Sequence, residues 1–170
     1  MSDESTPPVL DRHETLTVGV IVERRKAKSA WQDYVWQPVE VVVPPPSLAP
    51  WTAMREEGTT VRFFAGAFVM EMHPRETISY KANLDSETPS IYVVLREEAS
   101  APHGMALVLA TPSPAEAEIY MEGGMAVVDK VPMDDEVTAW LAAYVETFHV
   151  EEQFHKRKRG RDKPKSGTLQ

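Results

Sequence analysis

The side chains best suited to chemistry in this sequence are histidines and acids near its end. His149, Glu152 and His155 are spaced three residues apart. A helix through them would place all three near one face, where imidazole and carboxylate groups could hold a metal ion. The same spacing is also typical of the polar end of a helix, and we favour that interpretation. We therefore predict neither a metal nor a cofactor.

Catalytic motifs are missing from the sequence. It has no cysteine, which excludes disulfides, thiolate metal sites and iron–sulfur ligation. It also lacks GxSxG, GxGxxG, GxxxxGK[ST] and HExxH. A Ser–His–Asp arrangement stays open, because its members need not be neighbours in sequence. The sequence does not decide whether the chain is an enzyme, and it favours a protein without catalysis.

Charge is divided unevenly along the 170 residues, whose net charge is −8. Residues 156–170 hold seven basic residues and one acid, leaving 11 basic and 25 acidic residues in the other 155, a net charge of −14. A solvated terminus would explain this basic tail, but we favour a binding role. An acidic protein, or the chain's own acidic body, suits the tail better than nucleic acid, because the body would repel phosphates.

Tryptophans lie close to a second basic stretch. Trp31, Trp36 and Trp51 flank a predicted strand, and the run from Arg24 to Lys28 precedes it. Tryptophan often anchors interfaces, although we expect two of the three to pack the core. We predict a protein-binding surface made of these basic and aromatic residues together with the tail: Arg24, Arg25, Lys26, Trp31, Trp36, Lys156, Arg157, Lys158, Arg159 and Arg161.

The order of predicted elements favours an α+β fold. β-branched runs at 16–23, 35–43, 60–73 and three later positions predict strand after strand, with helices late. We expect a single domain with a mainly antiparallel sheet or partly closed barrel of six to seven strands, one short helix and a C-terminal amphipathic helix. Residues 15–150 would form this domain, with a disordered tail at 1–14 and a mostly disordered basic tail at 151–170.

The last helix carries the clearest pattern. Its apolar residues fall at helical spacing on one stripe: Val137, Trp140, Leu141, Tyr144, Val145 and Phe148. In the long apolar segment 60–73, Gly66 predicts a bend or bulge. In a strand there, Phe64, Phe68, Met70 and Met72 would lie on the same face. Such an apolar face could line a small-molecule site, but more often it belongs to the core.

The sequence has neither a signal peptide nor a membrane span, so a cytoplasmic location is expected.

Three stretches of the sequence resemble those of a known protein family. VERRKAKSAWQDYVWQPVEV, YKANLDSETPSIYVVLRE and HVEEQFHKRKR resemble an uncharacterised family of short proteobacterial proteins, over roughly residues 16–161. Members are encoded beside formate dehydrogenase and other molybdoenzyme genes, and some carry the label molybdopterin-guanine dinucleotide biosynthesis protein. The resemblance implies an accessory or assembly protein that binds a subunit of a molybdenum- or tungsten-dependent formate dehydrogenase.

The label implies an alternative, a nucleotidyltransferase that joins GMP to molybdopterin. Such an enzyme needs a Gly-rich phosphate loop near its start and a doubly wound sheet. Residues 16–30 read LTVGVIVERRKAKSA, with one glycine. We therefore expect the accessory role.

Overall fold

Seven strands and three α-helices make up the part of the chain that the structure, a computed structural model, describes, residues 10–124 and 126–149. The strands are β1 (Thr15–Lys26), β2 (Tyr34–Val42), β3 (Thr52–Glu57), β4 (Thr60–Glu71), β5 (Ser90–Glu97), β6 (Met105–Thr111) and β7 (Ala126–Pro132). The helices are α1 (Thr77–Leu84), α2 (Pro114–Met121) and α3 (Asp135–Phe148). None of these helices is long and apolar enough to cross a membrane.

The strands form two sheets in which every pairing is antiparallel. The first has the order β2-β1-β4-β3 and the second β6-β5-β7. Alternate residues of both sheets form one shared core, for example Val18, Val20 and Val22 of β1 with Ile91 and Val93 of β5. Each sheet therefore buries its apolar face against the other, as in a sandwich. The α+β class is confirmed, and the seven described strands fall within the expected six to seven. The described strands form two separately hydrogen-bonded sheets, however, with no closed barrel.

A bulge in β4 changes which residues face the core. Val20 of β1 lies opposite Gly66 and Ile21 opposite Phe64, so β4 carries one extra residue there. The core side passes from odd positions such as Phe63 to even ones such as Met70. Gly66 has φ 146°, a conformation that favours glycine, and the predicted bulge is confirmed.

The face expected to hold Phe64, Phe68, Met70 and Met72 is divided by that bulge. Met70 belongs to the core between the sheets, and Phe68 packs against it. Met72 lies in a second cluster, and Phe64 is buried outside both clusters. These side chains therefore do not line one cavity, and their main role is packing.

Three α-helices form where the sequence predicted one short helix and the C-terminal one. Side chains cap two of the helices: Asp134 accepts from Val137 N at 2.8 Å before α3, and Ser113 Oγ accepts from Glu116 N at 3.2 Å before α2. The stripe of α3 packs on α1 in a second core cluster that includes Tyr80 and Leu141.

Residues 10–14 belong to the folded body, although the sequence placed them in a disordered tail. Leu10 packs on the second cluster, Tyr144 donates a hydrogen bond from its hydroxyl to Arg12 O, and Met72 N donates to Glu14 O at 2.8 Å. These contacts join the segment before β1 to α3 and to the residue that follows β4. The rest of the predicted amino-terminal tail, residues 1–9, lies outside the described residues, as does 150–170.

Tyr80 should make stability fall at alkaline pH. Burial raises its pKa to about 12, nearby Glu76 and Glu116 act in the same direction, and the hydrogen bond from His73 N opposes them. An unfolded tyrosine loses its proton near pH 10, so the folded state keeps this proton between about pH 10 and 12. The contribution is complete below pH 10 and is lost as the pH rises toward 12, at up to about 1.4 kcal/mol per pH unit.

Urea denaturation of the wild type and Tyr80→Phe at pH 9 to 12 would measure this loss. The free energy of unfolding should fall less steeply in Tyr80→Phe. Ile119→Ala, at an exposed residue of α2, removes no titratable group; it serves as the control and should keep the wild-type slope. Parallel curves for the wild type and Tyr80→Phe would contradict the prediction.

Candidate functional site

An open cavity lies where the hairpin ends of the two sheets meet. Its volume is about 500 Å³. We call it the mouth; it is lined by residues of the β1–β2 hairpin and of the β5–β6 hairpin: Trp31, Gln32, Asp33, Tyr34, Trp36, Glu97, Glu98, Ala99, His103, Gly104 and Met105. The site therefore needs both sheets, because each contributes one hairpin.

Backbone hydrogen bonds hold the two hairpin loops in place. Ala27 N donates to Asp33 O at 3.0 Å across the first loop, and Glu98 N donates to Gly104 O at 2.9 Å across the second. A 3₁₀ turn at Pro102–Gly104 shapes the second loop. The loops thus present their side chains from fixed backbone positions.

Aromatic rings form the floor of the mouth. Trp36 lies 5.7 Å from both Trp51 and Phe63, measured between ring centroids, and the His103 ring lies 4.6 Å from Phe63. The edge-to-face Trp36–Trp51 pair has an interplanar angle of 90°, a favourable geometry for aromatic rings. This cluster joins the first sheet to the β5–β6 loop.

Two residues of this cluster have an uncommon backbone conformation. Trp51 has φ 64° and His103 φ 57°, and in the ranges 10–124 and 126–149 no other non-glycine residue has a positive φ. Their rings lie 6.3 Å apart. Positive φ is costly for residues with a side chain and is concentrated at functional sites. The coincidence of both residues beside the mouth therefore marks it as the candidate site.

Arg24 lies beneath the aromatic rings. Its Cζ is 4.3 Å from the Tyr34 ring centroid, 5.2 Å from that of Phe63 and 5.7 Å from that of Trp36. Its Nε is buried and has no hydrogen-bond partner. Contacts with ring faces stabilise a guanidinium, but an unpaired buried donor is costly. Arg24 is therefore part of the site's construction and is not an exposed contact residue.

The other predicted contact residues occupy different surroundings. Arg25 is exposed and lies near Gln37 and Glu23, and Lys26 is exposed at the end of β1. Trp31 is 97% exposed, whereas Trp36 is half-buried and Trp51 is buried, so the expectation that two tryptophans pack the core is confirmed. The structure brings Arg24, Trp31 and Trp36 together around the mouth. Lys156, Arg157, Lys158, Arg159 and Arg161 lie outside the described residues.

The helix that could have brought His149 to one face with Glu152 and His155 ends before His149. α3 ends at Phe148, and His149 has extended backbone angles, φ −74° and ψ 120°. Its Nδ1 lies 3.0 Å from Thr77 Oγ1. Glu152 and His155 fall outside the described range, within which no group of three or more His, Asp or Glu could hold a metal ion.

Several residues of the mouth were missed by sequence reasoning. The pair Glu97-Glu98 and the single residue His103 are not among the contact residues that the sequence predicts. The structure places both in one cavity with Asp33 and Tyr34. No local signal marks them, because they come from hairpins about 65 residues apart in sequence. Only the packing of the two sheets brings them together.

The side chains of the mouth can stack on a flat group and attract a positive charge. Three aromatic rings, Trp31, Tyr34 and Trp36, line the mouth beside three acidic side chains, Asp33, Glu97 and Glu98. Among the described hydrogen bonds, none links His103 to a carboxylate or hydroxyl group. The site thus combines flat apolar surfaces with hydrogen-bond acceptors, which is typical of binding.

Fold and site together define an α+β protein with two packed antiparallel sheets and an open mouth, lined by aromatic and acidic residues, at one end. A family model described as "Protein of unknown function (DUF3305)" matches residues 17–158, and the chain belongs to this family. No curated protein matches it. No solved structure matches it either.

Proposed function

We propose that this chain is a non-catalytic accessory protein that binds another protein through the tip of its β1–β2 hairpin. The observation that carries the proposal is Trp31, whose side chain is 97% exposed on that tip. A tryptophan side chain exposed to water is typical of a residue that is buried at an interface. Its burial in a partner would remove a large apolar area from water and stabilise the complex. Arg25, Lys26 and Lys28 are exposed on the same hairpin and would suit an acidic partner surface.

The partner that we propose is a subunit of a molybdenum- or tungsten-dependent formate dehydrogenase, bound in the cytoplasm. Its support is the resemblance of residues 16–161 to proteins encoded beside such enzymes. The nucleotidyltransferase alternative has less support, because residues 16–30 contribute an antiparallel strand and the hairpin turn that follows it. A doubly wound nucleotide-binding fold would need parallel strands there.

Co-purification would test this function. A tagged formate dehydrogenase subunit should enrich the full chain at low salt, and less at high salt because charges contribute. Trp31→Ala should lose at least tenfold of this enrichment while changing the free energy of unfolding by less than about 0.5 kcal/mol, since the side chain is exposed.

A matched control is available on α2, which follows the end of β6 farther from the mouth. Ile119 on α2 is 73% exposed, and Ile119→Ala should leave the enrichment unchanged. Equal enrichment of Trp31→Ala and the wild type would contradict docking through the hairpin tip. No enrichment of the wild type at low salt would contradict the proposed partner.

A further inference from the structure

The mouth has the composition of a site for a cationic side chain. Asp33, Glu97 and Glu98 lie beside the rings of Trp31 and Tyr34. A guanidinium can stack on an aromatic face while its N–H groups donate to carboxylates. Arg24 shows that the Tyr34 ring accepts such a group, because its Cζ lies 4.3 Å from the Tyr34 centroid. None of the described ion pairs involves Arg24 or an acidic side chain of the mouth.

A matching cationic segment exists in the same chain. Residues 156–161 read KRKRGR, with five basic residues in six and no acid. The rest of the chain is acidic overall, so the segment is attracted to the body in general. The mouth places three ring faces beside its three carboxylates, so it can bind a guanidinium by stacking as well as by charge.

The chain is long enough to bring this segment to the mouth. The last described residue, His149, is hydrogen-bonded to Thr77. Thr77 follows the carboxyl end of β4, which is the end of that strand farther from the mouth. The stretch of β4 from Phe63 to Glu71 covers about 26 Å at roughly 3.3 Å per residue. From His149, an extended chain reaches about 23 Å at Lys156 and about 40 Å at Arg161. These reaches bracket the distance to the near side of the mouth, where Trp36 and His103 contact Phe63.

We propose that the mouth binds residues 156–161 of the same chain. An arginine of this segment stacks on the rings of Trp31 and Tyr34 and donates to Glu97 and Glu98. Being on the same chain, the segment is present at an effective concentration on the order of millimolar, so modest intrinsic affinity keeps the mouth occupied. Docking of the segment does not depend on the proposed accessory role. Because Trp31 serves both surfaces, a partner at the hairpin tip would compete with the segment, and this consequence rests on the proposed function.

Zero-length carbodiimide cross-linking of the full chain tests the location. Lys156 or Lys158 should cross-link to Glu97 or Glu98 within monomeric protein, as identified by mass spectrometry. Glu97→Gln/Glu98→Gln should remove these products. Glu118→Gln/Glu122→Gln, at exposed acids of α2, should leave their yield unchanged. Cross-links found only between two chains, or spread equally over other acidic residues, would overturn the proposal.

A peptide experiment tests the chemistry independently of cross-linking. The probe is a fluorescent synthetic peptide of residues 155–162, followed by anisotropy. A full chain with Arg157→Gln, Arg159→Gln and Arg161→Gln should bind it at least tenfold more tightly than the wild type, because the internal competitor is weakened. Adding Glu97→Gln/Glu98→Gln to that chain should abolish binding. Equal affinity of the wild type and the Gln variant, or no binding by either, would overturn the proposal. Neither result depends on a formate dehydrogenase.

Discussion

Replacing Asn83 with alanine should lower the free energy of unfolding by about 3 to 5 kcal/mol, the loss expected when several buried polar groups lose partners together. Asn83 is 3% exposed at the end of α1. Its Nδ2 donates to Ser90 O at 2.7 Å and to Pro112 O at 2.8 Å, and its Oδ1 accepts from Ser90 N at 3.0 Å. One side chain therefore joins α1 to the start of β5 and to the segment before α2.

Urea denaturation followed by circular dichroism would measure this effect. Asn83→Asp should also destabilise strongly, because a carboxylate cannot donate to the two carbonyl groups. Ala82→Ser, at the exposed neighbouring position of the same helix, is the control and should stay within about 0.5 kcal/mol of the wild type. A loss below about 1 kcal/mol for Asn83→Ala would contradict the bridging role.

Gly19→Val should destabilise the protein by about 3 kcal/mol, and Gly19→Ala by about 1 to 2 kcal/mol, through overpacking. The loop after β2 lies against this position in the middle of β1. A Cβ at Gly19 would come within 2.9 Å of Pro46 Cδ, 3.0 Å of Val42 Cγ2 and 3.1 Å of Pro45 Cα. The rigid proline rings cannot move aside without shifting the backbone. This clash exceeds the gain of about 0.4 to 1 kcal/mol from the reduced freedom of the unfolded chain.

Gly123→Ala is the matched control for this series. Nothing lies within 4 Å of a Cβ at Gly123, so only the unfolded-state effect remains and stability should be unchanged or slightly higher. Thermal unfolding of the three variants would rank them. A Gly19→Ala variant as stable as Gly123→Ala would show that the proline loop does not press on β1.

The sequence predicted the elements that bury many apolar residues and missed the one that does not. The stripe of α3 and the β-branched run of β1 are plain in the sequence because their side chains form the core. β3 was missed because Thr52–Glu57 is almost wholly exposed and has no apolar alternation. β3 forms by pairing with β4, across a tight turn with Gly58 at φ 59°.

The candidate site was predicted only on the side of the β1–β2 hairpin. Trp31 and Trp36 were identified because tryptophans next to basic residues are conspicuous in sequence. Glu97, Glu98 and His103 were not, since they become part of the site only when the second sheet packs on the first. The orientation of Arg24 was also unpredictable. As an even-numbered residue of β1, it continues the core face of Val18, Val20 and Val22.

Each sheet is built from one uninterrupted length of chain, residues 15–71 for the first and 90–132 for the second. On the ribosome, the first sheet is therefore fully synthesised while the surface that must cover it is still missing. About 60 more residues are needed, which takes roughly 3 to 12 s at 5–20 residues per second. During that interval the valines of β1 face water, so the nascent chain needs protection from aggregation until β7 has emerged from the ribosome.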